Sequence, residues 1–323
     1  MQQDNDWRCR QSLLRCGGRL FALLILTLAT NFPAAAQTAN FPEQDYGKIV
    51  FPARESTGGA LNYVWSRGNV FEPIGQLRSD DPLARAARAV GRLDLLVMAQ
   101  SRKFVTSCTA ALVSRDLVIT NYHCIPGSEV LVERASLVLD YLNADGTGAR
   151  RIELETKPIE ADSTLDYAIV RVHGDAVDGI DPIRFSLRRV LPKDRLRIIH
   201  HPAGNAKMMT QFRCSASDDN PAEGPMLRHT CDTLPGSSGA IIFDHDELVA
   251  VGLHHSGGLN ANDAKSFNEA TLAKALLERS AVLAKLAPLA VPLPDLSQAA
   301  QKPAAVVPKV GTAGDINNIL QEK

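Results

Sequence analysis

Between residues 93 and 172 the chain alternates short, β-branched apolar runs with polar turns. The runs 93–99, 108–113, 117–120, 131–142, 150–155 and 167–172 each read as strands. A stretch over 174–182, dense in Gly, Asp and Pro, separates them from a second set at 195–200, 208–216, 226–231, 240–243 and 248–254. Many short strands with few helices predict an all-β protein made of closed or nearly closed barrels. Helical pattern appears twice. Asp81 followed by Pro82 is an N-cap with proline at the first helical position, so a short helix is expected there. Residues 268–286, rich in Ala, Leu, Lys and Glu, predict a C-terminal amphipathic helix.

The two ends carry different patterns. Arg8, Arg10, Arg15 and Arg19 precede an apolar run over 20–29, and Ala34-Ala35-Ala36 offers a small-residue cleavage site. That layout predicts a secretory signal over 1–36, with a run shorter than the roughly 20 residues a membrane span needs. Residues 37–82 read as a pro-segment or an N-terminal extension packed on the barrels. Residues 287–323 form a Pro/Ala-rich tail. Without the leader, 31 basic residues face 34 acidic ones. Such a balance provides no electrostatic footprint for nucleic acid or for an anionic membrane surface. The expected product is an exported, periplasmic or extracellular monomer.

The chemistry gathers around Ser238, in Cys231-Asp232-Thr233-Leu234-Pro235-Gly236-Ser237-Ser238-Gly239. Glycines on both sides permit a tight turn that exposes the hydroxyl. The same turn aims the N–H groups of Gly236 and Ser238 at one point, as an oxyanion hole requires. A base and an acid lie upstream. The apolar run 117–120 leads into Asn121-Tyr122-His123-Cys124, and Asp166 stands just before the apolar run 167–172. Ser237 is a rival nucleophile, but only Ser238 has both flanking glycines in register.

In its order His123, Asp166, Ser238, the chain resembles the trypsin/chymotrypsin-like serine proteases. It is most similar to their bacterial glutamyl-endopeptidase-like branch, where runs such as Ile119-Thr120-Asn121-Tyr122-His123-Cys124 and Val251-Gly252-Leu253-His254-His255 recur. The resemblance spans about residues 85–285. It implies two six-stranded antiparallel β-barrels of chymotrypsin type, the first over about 85–175 and the second over about 185–260, with a C-terminal helix behind them. It also implies a serine endopeptidase acting through an acyl-enzyme on Ser238, with a protein or peptide as substrate and no cofactor or metal. Outside the leader, four cysteines allow three pairings. The resemblance implies Cys108–Cys124 at the histidine loop and, with it, Cys214–Cys231. Animal members of the clan place an aspartate before the nucleophile to receive a newly freed N-terminus. Here that position is Ser237, so activation is expected not to use that ion pair.

Specificity is open in the sequence. Asp232, six residues before Ser238, stands where trypsin-like enzymes bind a basic side chain. It equally suits a structural role, accepting hydrogen bonds from its own turn. His254, with Thr233 beside it, stands where the glutamyl-endopeptidase branch binds an acidic side chain. Ser256 and Gly257 are further candidates for the same pocket, and His255 or Ser256 for support of Asp166. His200 and His201 read as strand-end structure, and His173, His229 and His245 as surface residues. Two other functions fit the same residues: a non-catalytic binding module with a protease-like fold, or an esterase using the same triad.

Overall fold

The computed structural model describes residues 39–51, 70–99, 101–125, 131–260 and 262–286. The expected leader, the tail over 287–323, Cys9, Cys16 and much of the N-terminal extension lie outside the described residues. Among the described residues, no helix is long and apolar enough to cross a membrane.

Two antiparallel sheets make the fold. The first holds β1 (Ala39–Pro42), β3 (Val90–Ala99), β4 (Arg102–Leu112), β5 (Leu117–Thr120), β6 (Leu131–Leu139), β7 (Arg150–Leu154), β8 (Glu160–Asp162) and β9 (Tyr167–Arg171). Its order is β7-β6-β3-β4-β5-β9-β8, with β1 added on β4. A bridge between Leu154 and Val172 joins β7 to the end of β9 and closes the barrel. Closure removes exposed strand edges and encloses a dry core of Leu93, Leu95, Leu112, Ile119, Leu137 and Ile169.

The second sheet holds β2 (Glu72–Pro73), β10 (Leu196–His200), β11 (Met208–Thr210), β12 (Ala222–Glu223), β13 (Met226–His229), β14 (Ile241–Asp244), β15 (Ala250–Ser256) and β16 (Asn268–Leu272). Its order is β12-β13-β16-β15-β14-β10-β11-β2. Bridges from Ser215 to Arg195 and from Ala216 to His229 close this side. Leu196, Ile198, Leu227, Ile242 and Val251 fill its interior.

Three expectations need correction. Each sheet has eight strands, not six, because the N-terminal extension supplies one strand to each (β1 and β2) and short strands complete the rest. The segment 268–286 is not one helix. Asn268–Leu272 is a strand, because it fills the gap between β13 and β15, and helix follows only over Ala273–Arg279 and Ala281–Lys285. The run expected as a strand over 208–216 pairs regularly only at Met208–Thr210, and isolated bridges hold its far end. The short helix forms as expected over Pro82–Ala87, with the Asp81 carboxylate accepting from the Leu83 N–H at 2.7 Å.

Candidate active site

His123 follows β5, where the chain leaves the barrel wall. Its Nδ1 lies 2.7 Å from Oδ2 of Asp166, and its backbone N–H donates to Oδ1 of the same carboxylate at 3.0 Å. A carboxylate only accepts, so Nδ1 carries the hydrogen, and the neutral form of the ring keeps its lone pair on Nε2. That Nε2 is buried and has no hydrogen-bond partner among the described residues. Asp166 adopts φ +50°, an uncommon value outside glycine. Its conformation is held from three sides. Asn121 Nδ2 donates to its carbonyl at 2.8 Å, and Asp162 Oδ1 accepts from the N–H groups of Thr164 and Leu165. From the second sheet, Thr271 Oγ1 donates to the Leu165 carbonyl at 2.6 Å.

The Ser238 turn docks against the same strands. Thr109 N–H donates to the Ser238 carbonyl at 2.8 Å, and Thr109 Oγ1 donates to the Gly236 carbonyl at 2.9 Å. Thr109 Oγ1 also accepts from His201 N–H, and the Thr109 carbonyl accepts from Thr120 Oγ1. A side chain on Gly239 would overlap the Thr109 carbonyl, and this residue has φ +84°, so the position demands glycine. Ser238 Oγ makes no hydrogen bond among the described residues, and the Gly236 and Ser238 N–H groups likewise donate to none. Ser237 is engaged instead. Its buried Oγ accepts from Leu234 N–H at 3.1 Å and lies 2.8 Å from His200 Nδ1.

The cysteines pair as Cys108–Cys124 and Cys214–Cys231. The first bridge ties β4 to the residue after His123. Cys108, His123 and Cys124 bring a nitrogen and two sulfurs within 4.8 Å of one another. Both sulfurs are spent in the bridge, so this grouping has no thiolate to offer a metal.

The candidate pocket residues divide. The Asp232 carboxylate accepts from the Val70 N–H at 3.1 Å, and burial pushes its pKa up. Thr233 Oγ1 accepts from Asn268 Nδ2 at 3.0 Å, while Asn268 Oδ1 accepts from the N–H groups of Gly258 and Leu259. Asn268 therefore ties the 231–233 wall to the Gly257 wall. Ser256 pairs with Glu269 at a register shift in β15 and is half-buried. His254 is buried, and its Nδ1 lies 3.1 Å from Nε2 of His229. His229 is thus no surface residue. It follows Met226-Leu227-Arg228 in strict alternation and shares the inward face of Leu227.

Burial holds these rings neutral. His200 and His229 are each pushed down to about 3 by desolvation. His254 falls well below the usual imidazole range through desolvation and the neighbouring His229. His255 is lowered by burial too, although the Asp166 carboxylate pulls the other way. Sequence reasoning missed Thr109, Asn268 and Thr271 altogether. Their positions, next to Cys108 and on an apparent helix, gave little to find them by.

Residues 108–253 match the family model of the trypsin-like peptidase domain. The chain is 29% identical over 190 residues to secreted RxLR effector protein 73 of Plasmopara viticola, covering 54% of this chain and 46% of that protein. It thus spans about half the length of this curated relative. Among solved structures, it is similar to the serine endoprotease from Yersinia pestis, with TM-score 0.46, 18% identity, and 63% of this chain and 64% of that one covered. It is also similar to the HtrA-type protease AlgW with tripeptide, with TM-score 0.46, 16% identity, and 61% and 60% covered.

Proposed function

We propose that this chain, whose residues 108–253 match the trypsin-like peptidase domain, is an exported serine endopeptidase with Ser238 as its nucleophile. One observation carries the reading. A His123–Asp166 pair with an unpartnered Nε2 stands on the strands that clamp a turn whose serine hydroxyl and two N–H groups are also unpartnered.

In this reading Ser238 Oγ attacks the scissile carbonyl carbon as its proton passes to His123 Nε2. Asp166 fixes the tautomer and stabilises the imidazolium. The Gly236 and Ser238 N–H groups receive the oxyanion, each worth roughly 3 kcal/mol. His123 then protonates the departing amine, leaving an ester on Ser238 that water hydrolyses. In this reading Ser237 is structural, because its hydroxyl is fully buried between His200 and the Leu234 N–H.

The Asp232 carboxylate accepts the Val70 N–H at Oδ2, which supports a structural role for Asp232. The resemblance at His254 makes an acidic side chain the preference proposed, although this ring is buried against His229 and would meet the substrate only once uncovered.

The test is cleavage-site profiling of a proteome-derived peptide mixture by the chain without its leader, with Ser238→Ala as control. Cuts after Glu or Asp that vanish in the control support the whole reading. Cuts after Lys or Arg would return the pocket to Asp232. Hydrolysis of simple esters alone would favour an esterase. Tight peptide binding without turnover would favour a binding module.

A further inference from the structure

Arg92 on β3 is fully enclosed, and its guanidinium makes five hydrogen bonds. Two go to Asp94, at 2.8 Å each. The other three go to backbone carbonyls of two distant segments: Ile49 at 2.7 Å, Lys48 at 3.0 Å and Gly204 at 2.8 Å. The Phe51 ring covers the guanidinium at 4.0 Å. One side chain thus fastens the segment 39–51, which also adds β1 to β4, onto the turn Pro202–Gly204.

That turn is itself unusual. Ala203 has φ +53° and Gly204 φ +72°, both left-handed. A Cβ on Gly204 would stand 2.9 Å from Phe41 Cζ and 3.2 Å from Phe51 Cδ2, so the segment lies directly on it. On its other side the turn meets the nucleophile loop. Ala203 N–H donates to the Pro235 carbonyl at 2.6 Å. A Cβ on Gly236 would meet the His201 carbonyl at 2.8 Å and the Gly204 nitrogen at 3.1 Å.

The peptide joining Pro235 to Gly236 is planar and trans, so its C=O and N–H point in opposite directions. Fixing the Pro235 carbonyl on Ala203 therefore aims the Gly236 N–H away from the turn, where it has no partner among the described residues. We propose that the 39–51 segment is a built-in strap for the oxyanion hole, with Arg92 as the positioning residue that locks it. The strap holds Ala203 and Gly204, these hold the Pro235 carbonyl, and that carbonyl sets the direction of the Gly236 N–H. The segment is then a working part of the folded enzyme and not a removable pro-segment. This inference rests on the acyl-transfer reading of Ser238 for its catalytic consequence, though not for its mechanical one.

Two variants test it in the leader-free chain. Phe51→Ala removes the lid over Gly204 and spares the Arg92–Asp94 pair. Arg92→Lys keeps the charge but loses the five-donor fork. Hydrogen exchange is followed by mass spectrometry on peptides covering 201–206 and 234–240, with peptides over 117–120 and 167–171 as references, and kcat and KM are measured separately. In both variants exchange quickens at 201–206 and at 234–240 and stays unchanged in the references. The value of kcat falls about 10-fold, short of the ~10²–10³ that loss of an oxyanion donor costs, with KM unchanged. Unaltered exchange at 234–240 while 39–51 loosens would overturn the strap, as would equal acceleration across both barrels, which marks a merely structural segment. If the unsubstituted chain proves inactive, the acyl-transfer reading fails, yet the exchange data still decide whether the strap holds the loop.

Discussion

The two barrels hide polar groups in opposite ways. Beneath the N-terminal segment, the first barrel buries Arg92 and Asp94 as a completed ion pair, every guanidinium donor used. The second barrel buries His200, His201, His229 and His254 with no carboxylate bonded to any of them. A buried charge is tolerable when paired, and a buried imidazole avoids the problem by staying neutral. The second barrel thus places titratable rings behind the walls where a substrate side chain would lie.

The largest expected effect tests which barrel supplies the nucleophile. Ser238→Ala should lower kcat by about 10⁶-fold with the fold intact, measured on any peptide the parent chain cleaves. Next comes acid sensitivity. The folded pKa values of His200 and His229 lie at about 3, below the ordinary imidazole value, so between the two the unfolded chain binds more protons. Stability is full above pH ~6.5 and falls as pH drops toward the folded values, by up to about 1.4 kcal/mol per pH unit for each ring. Denaturant titrations from pH 7 to 4.5 should show this slope, and His229→Gln should remove one ring's share. An unchanged slope in that variant would erase the contrast between the barrels.

Smaller effects sharpen the comparison. Replacing Cys108 and Cys124 together by Ser should cost about 3 kcal/mol in the chain-entropy description of a loop this short. The same exchange at Cys214 and Cys231, separated by 17 residues against 16, should cost the same or very slightly more. Thr109→Val strands the Gly236 carbonyl and His201 N–H and should cost about 2 kcal/mol, with kcat reduced as the nucleophile turn shifts. Ser237→Ala, which removes one buried hydroxyl, should cost about 1 kcal/mol and spare catalysis. Thermal or denaturant midpoints check all four stability changes.

Much of this was legible in the chain. Apolar, β-branched runs between polar turns marked the central strands, and the Asp81-Pro82 pair marked the first helix. His123, Asp166 and Ser238 stood out through their order. What escaped notice depended on partners far along the sequence. Ala39–Pro42 and Glu72–Pro73 are short and carry proline, and they are strands only because β4 and β11 offer them an edge. Asn268–Leu272 has helical composition, yet β13 and β15 recruit it. His229 was misplaced because residue type outweighed the alternation that put it beside Leu227. Arg92 sits inside an apolar strand pattern, and nothing local reveals that its partners are carbonyls at positions 48, 49 and 204.

The central claim is that Ser238, and not its neighbour, is the activated hydroxyl. The chain from residue 37 onward should be treated with a fluorophosphonate and the adduct located by peptide mapping. The account predicts one phosphonyl group per chain, on Ser238, lost in His123→Ala. An adduct on Ser237, or none on the folded chain, would contradict it.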